Sequence, residues 1–70
     1  KLYSMRYVIA PISVFDDYEL LWETKVAIDL GGLPLAYTCW GMTEQDSRLS
    51  AKKLVDILES IVAESPFFEN

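Results

Sequence analysis

From Tyr18 to Leu30 the chain alternates between two sets of side chains. Tyr18, Leu20, Trp22, Thr24, Val26, Ile28 and Leu30 form one set; Glu19, Leu21, Glu23, Lys25, Ala27 and Asp29 form the other. A period of two predicts a strand with one apolar and one largely polar face. Gly31-Gly32 follows, a pair free to take positive φ at both centres of a tight turn. The chain returns with Leu33, Leu35, Tyr37 and Cys39 on one side and Pro34, Ala36, Thr38 and Trp40 on the other. A two-residue turn sets Leu30 opposite Leu33, Ile28 opposite Leu35 and Val26 opposite Tyr37. The apolar sets then share a face.

Ahead of this hairpin, Tyr3, Met5, Tyr7 and Ile9 alternate with Ser4, Arg6 and Val8, which predicts a first strand. Pro11 interrupts it, and Ile12, Val14 and Phe15 continue it beyond a kink. Asp16-Asp17 supplies the turn into the hairpin. Pro34, opposite Asp29, directs its missing N–H away from the second strand, which places the third strand at an edge. After Gly41 and a polar connection from Met42 to Ser47, Ala51, Leu54, Val55, Leu58, Ile61 and Val62 recur at steps of three and four. They predict an amphipathic helix from Ser50 to Glu64. Its apolar stripe covers Leu20, Trp22, Val26, Ile28 and Leu35. Ser47 or Ser50 is the expected N-cap, Lys52 and Lys53 oppose the dipole from the first turn, and Ser65-Pro66 ends the helix. Phe67-Phe68 lies beyond, folded back or exposed. The predicted fold is α+β: a three-stranded antiparallel sheet in β-β-β-α order, with the C-terminal helix on one face.

Seventy residues make one domain, spanning 1–70. Such a chain sits near the size limit for a stable core. With 51% hydrophobic residues, part of the apolar surplus is expected outside, as in a self-associating or partner-binding domain. A net charge of −5 opposes binding to nucleic-acid phosphates or to an acidic membrane surface. The carboxylates are scattered rather than laid out in a row, so a nucleic-acid mimic is not indicated. One cysteine, Cys39, rules out an internal disulfide and fits a reducing, intracellular (cytoplasmic or nuclear) setting. No apolar run is long enough to span a membrane. The chain opens Lys1-Leu2-Tyr3-Ser4 without an initiator methionine or a secretory pattern, as expected of a piece of a longer protein.

Catalytic chemistry has little to stand on. Without histidine, the commonest base, zinc ligand and pH switch is missing. Cys39 has no base partner, and Gly31-Gly32 lacks the lysine and helix of a phosphate loop. No enzyme activity, metal or cofactor is expected. Asp16/Asp17 and Glu44/Asp46 read as solvated turn residues, and Cys39 as a small buried hydrophobe. Trp22 falls on the core face. Trp40 falls on the opposite face near the free edge, where an aromatic anchor is a binding-site candidate.

Three segments resemble a family: Ile12-Ser13-Val14-Phe15-Asp16-Asp17 after the first strand, Leu33-Pro34 with Cys39-Trp40-Gly41, and the helix from Ala51 to Ile61. Together they look like the double-stranded-RNA-binding domain, over about residues 6 to 62. The likeness is greater to its protein-binding variant, the last such domain of Dicer-partner proteins. It implies a first helix packed on the same sheet face, here missing or truncated, with Lys1 to Ser4 as its remnant. RNA-binding members carry a basic Lys-Lys-x-Ala-Lys cluster and a histidine-bearing loop. This chain has only Lys52 and Lys53, and Phe15-Asp16-Asp17-Tyr18 in place of that loop.

The expected function is therefore protein–protein association within RNA silencing, without direct contact to RNA or membrane. The partner is a second copy or a related domain, joined through the third strand at Leu35, Ala36, Tyr37, Thr38, Cys39 and Trp40, with a Dicer-type nuclease docked beside it. The third strand has no charge to deter strand addition. The alternative is a small acidic inhibitor or antitoxin-like protein that binds a host enzyme.

Overall fold

The computed structural model describes residues 4–65. Its elements are β1 (Met5–Ile9), β2 (Val14–Asp16), β3 (Leu21–Leu30), β4 (Leu33–Gly41) and α1 (Glu44–Glu64). β3 is the centre of one antiparallel sheet. β1 and β2 lie end to end along one side of it, and β4 lies along the other. The class is α+β as expected, but the sheet has four strands rather than three. The reason lies at Pro11. The Ala10 N–H still bonds the Lys25 carbonyl at 2.8 Å, and pairing resumes with Val14 opposite Glu23. Three residues, Pro11 to Ser13, thus stand opposite Thr24 alone. The Ala10 carbonyl accepts from Arg48 Nη1 at 2.9 Å, and the chain leaves and rejoins two residues out of step. An even insertion keeps the faces matched, and Phe15 falls on the same side as Met5, Tyr7 and Ile9.

The middle strand starts at Leu21 instead of the expected Tyr18. Asp16 organises the turn: its Oδ1 accepts from the N–H groups of Tyr18 (2.8 Å) and Glu19 (3.1 Å), and its carbonyl from that of Leu20 (2.8 Å). Leu20 sits at φ 58° and is 69% exposed. It therefore does not lie beneath the helix. The hairpin register is the expected one, with Leu30, Ile28 and Val26 opposite Leu33, Leu35 and Tyr37. Gly31 and Gly32 both take positive φ, and Asp29 Oδ1 accepts from the Gly32 N–H at 2.7 Å.

The helix starts earlier than its apolar stripe. Thr43 is the N-cap, its Oγ1 accepting from the Asp46 N–H at 3.1 Å, and Glu44 and Asp46 favour the dipole. Ser47 and Ser50 are inside the helix, and Lys52 and Lys53 are well past its first turn, so neither lysine opposes the dipole. Ser65 is the C-cap. Tyr3, Pro66 and Phe67-Phe68 lie outside the described residues.

On the covered face, Val26 and Ile28 pack on Ala51 and Val55, ringed by Met5, Ile9, Leu35, Cys39 and Leu58. Trp22 is half-buried and meets Phe15 edge to face, ring centres 5.7 Å apart. Ile61, counted in the stripe, is exposed, and Val62 is the buried residue of that turn. Gly41 lets the end of β4 approach the helix start. A Cβ there would overlap the Ser47 nitrogen and stand 2.6 Å from the Asp46 carbonyl carbon.

Candidate interaction surface

Ladder geometry fixes where the main chain of β4 points. Ala10 and Gly31 donate across the β1–β3 boundary to Lys25 and Ser4, so the odd positions of β3 bond toward β1. Bonded pairs alternate in an antiparallel ladder, and the even positions of β3 bond toward β4. Their opposites are Leu33, Leu35, Tyr37 and Cys39. The main-chain groups of Pro34, Ala36, Thr38 and Trp40 consequently face away from β3, along an edge that no other described strand occupies. The Trp40 carbonyl accepts from the Ser50 hydroxyl at 3.2 Å. The Ala36, Thr38 and Trp40 N–H groups and the Pro34, Ala36 and Thr38 carbonyls make up the open stretch.

The six expected site residues fall on two faces. Leu35 and Cys39 turn inward and are half-buried against the core. Burial pushes the Cys39 thiol pKa up, away from the reactive thiolate. Tyr37 shares their face but is exposed. Ala36, Thr38 and Trp40 share the other, with Trp40 39% exposed. Thr38 Oγ1 accepts from Lys25 Nζ at 3.1 Å.

That other face is covered by no described element. Its rows run across the sheet as Arg6–Asp29–Pro34, then Val8–Ala27–Ala36, then Lys25–Thr38, then Glu23–Trp40. Around the second row lies a trough of ≈ 300 Å³ lined by Val8, Ala10, Lys25, Ala27, Ala36 and Thr38. Alternation alone files Ala27 and Ala36 with the polar positions, so this trough is not visible until the strands are set side by side.

One polar cluster lies inside. Arg48 Nη1 donates to the Ala10 carbonyl (2.9 Å) and to Ser13 Oγ (3.0 Å). Ser13 Oγ meets Thr24 Oγ1 at 2.7 Å, Thr24 Oγ1 meets Ser47 Oγ at 2.8 Å, and Ser47 donates to the Glu44 carbonyl at 2.7 Å. A hydroxyl has one proton. With the Ser47 proton on Glu44, Thr24 donates to Ser47 and Ser13 donates to Thr24. The chain runs one way, and no buried side-chain polar atom among the described residues lacks a partner. It has no base to activate an oxygen, so it reads as structure. Its sequence signal was Thr24, a hydroxyl in an otherwise apolar face. Among the described residues no group of acids and cysteine could hold a metal, and no helix is long and apolar enough to cross a membrane.

No family of known proteins, no curated protein and no solved structure matches this chain.

Proposed function

We propose that this chain is a protein-interaction module that takes up a partner's strand along β4. The observation that carries the reading is the row of outward main-chain groups from Pro34 to Trp40, on a strand of nine residues with no charged side chain. Natural edges usually carry lysine, a bulge or a cover. Here Pro34 blunts only the start and Ser50 only the end. Strand addition supplies main-chain hydrogen bonds, and exposed Tyr37 and Trp40, on opposite faces, supply side-chain selectivity. The resemblance to protein-binding double-stranded-RNA-binding domains favours a second copy or a related domain as the partner, with a Dicer-type nuclease as the larger assembly. RNA itself has no part in this reading, since the chain carries a net charge of −5.

The test uses a synthetic peptide of residues 33–41 as strand donor and amide exchange of the labelled chain as readout. Pairing slows exchange at Ala36, Thr38 and Trp40. Thr38→Pro removes one outward N–H without touching the β3 ladder and weakens binding by up to about tenfold. Unchanged exchange at those amides, with the peptide in excess and with the chain itself concentrated, overturns the proposal.

A further inference from the structure

We infer that the bare outer face of the sheet is self-complementary, and that a second copy of this chain packs on it face to face. The inference stands apart from the β4 edge, because its centre is Ala27 on the middle strand.

Charge singles out the face and the partner. The chain carries −5 in all, and the excess lies elsewhere: Asp16, Asp17 and Glu19 around the β2–β3 turn carry −3, and α1, with five acids against Arg48, Lys52 and Lys53, carries −2. Copies therefore repel one another chiefly through the turn, and only weakly through the helix side. The rows of the outer face hold Arg6 and Lys25 against Glu23 and Asp29, two charges of each sign. Between these rows lies the apolar trough, with Val8 65% exposed at its rim.

The pattern also selects one arrangement. Stacked sheets related by a twofold axis through Ala27 can have that axis along the strands or across them. An axis along the strands sets Lys25 over the partner's Lys25 and Asp29 over the partner's Asp29. An axis across the strands sets Lys25 over the partner's Asp29, twice. Each residue lies two positions from Ala27, about 6.6 Å along the strand, so the two pairs straddle the axis. Small Ala27 and Ala36 near the centre let the sheets close to the usual ~10 Å. Trp40 is carried toward the partner's Gly32, where the space beside the turn is open.

The face is three strands wide and follows β3, ten residues long. At strand spacings of ~4.8 Å and a rise of ~3.3 Å per residue it covers roughly 480 Å² on each copy. That lies in the range of weak, reversible complexes. In this arrangement β4 lies over β4, and the dimer offers two free edges on one flank.

Sedimentation velocity on the 70-residue chain, from about 10 µM to about 1 mM, is the test, with circular dichroism as a check on folding. The wild type shifts from monomer to dimer with concentration. Ala27→Arg, at an exposed site, stays monomeric and folded. Lys25→Glu and Asp29→Lys are each monomeric alone, and an equimolar mixture of the two restores the dimer, because each substituted position then meets its opposite. Should Asp29→Lys fail to fold for want of the acceptor to Gly32, Ala27→Arg and Lys25→Glu decide the matter. A wild type monomeric throughout, an Ala27→Arg dimer as strong as wild type, or a folded mixture that stays monomeric each overturns the inference. Ala27→Arg leaves the β4 main chain untouched. Peptide-induced protection at Ala36 and Thr38 therefore reports on the edge whichever way the dimer test falls.

Discussion

Thr24 of the middle strand and Ser47 of the helix meet through their hydroxyls, 2.8 Å apart and both fully buried. This contact is the midpoint of a one-way relay from the Arg48 guanidinium to the Glu44 carbonyl. Replacing Thr24 with valine keeps the shape but leaves Ser13 without an acceptor and Ser47 without its donor. Thr24→Val should cost about 1–3 kcal/mol in urea titration. Adding Ser13→Ala should cost less than the two single changes together, since the stranded donor is gone. Strict additivity would show that the hydroxyls act independently.

Gly41 is held by space. A methyl group at this position overlaps main-chain atoms of Asp46 and Ser47, which cannot swing aside as a flexible side chain can. Gly41→Ala should destabilise by at least about 2 kcal/mol, a large share of the stability of so small a domain. A melting temperature within a degree of wild type would mean that the helix start yields freely.

Leu20 offers a gain. Its φ of 58° is in the left-handed region, and its side chain is exposed. Strain of about 1–2 kcal/mol for an L-residue exceeds the entropy glycine loses, about 0.5–1 kcal/mol. Leu20→Gly should raise the melting temperature, and Leu20→Ala should not. If both variants melt alike, the turn does not store that strain.

The helix stripe divides where the structure divides it. Val55 is wholly buried against Val26 and Ile28, whereas Ile61 is exposed. Val55→Ala should cost about 2 kcal/mol, from two lost methyl groups and the cavity they leave. Ile61→Ala should stay within about 0.5 kcal/mol of wild type. Chemical denaturation of the two variants side by side reads this contrast directly.

The hairpin was legible because two glycines fix its length, and length fixes register. Pro34 likewise told which way the β4 main chain points. Other features needed three dimensions. Pro11 marks a break in the first strand, but not that three residues would stand opposite Thr24. Apolar spacing begins at Ala51, so the polar first turns of α1 escaped it. The signal there was Thr43 followed three positions later by Asp46, a local capping pattern. Leu20 continued the alternation of its strand while the side chain of Asp16 had already claimed the turn. In each case a local hydrogen bond outweighed periodicity.

The relay of hydroxyls also bears on how the domain comes apart. Its members belong to the break before β2, to β3 and to α1, and each supplies one proton and receives one. Peeling the helix from the sheet strands Thr24; loosening the break frees Arg48 and leaves Ser13 unmet. No pair of these elements can satisfy the buried oxygens without the third. Partly opened forms are thereby raised in energy relative to both the intact and the fully unfolded chain. The expected consequence is cooperative, two-state melting, with amide exchange in β3 and α1 limited by the same global opening.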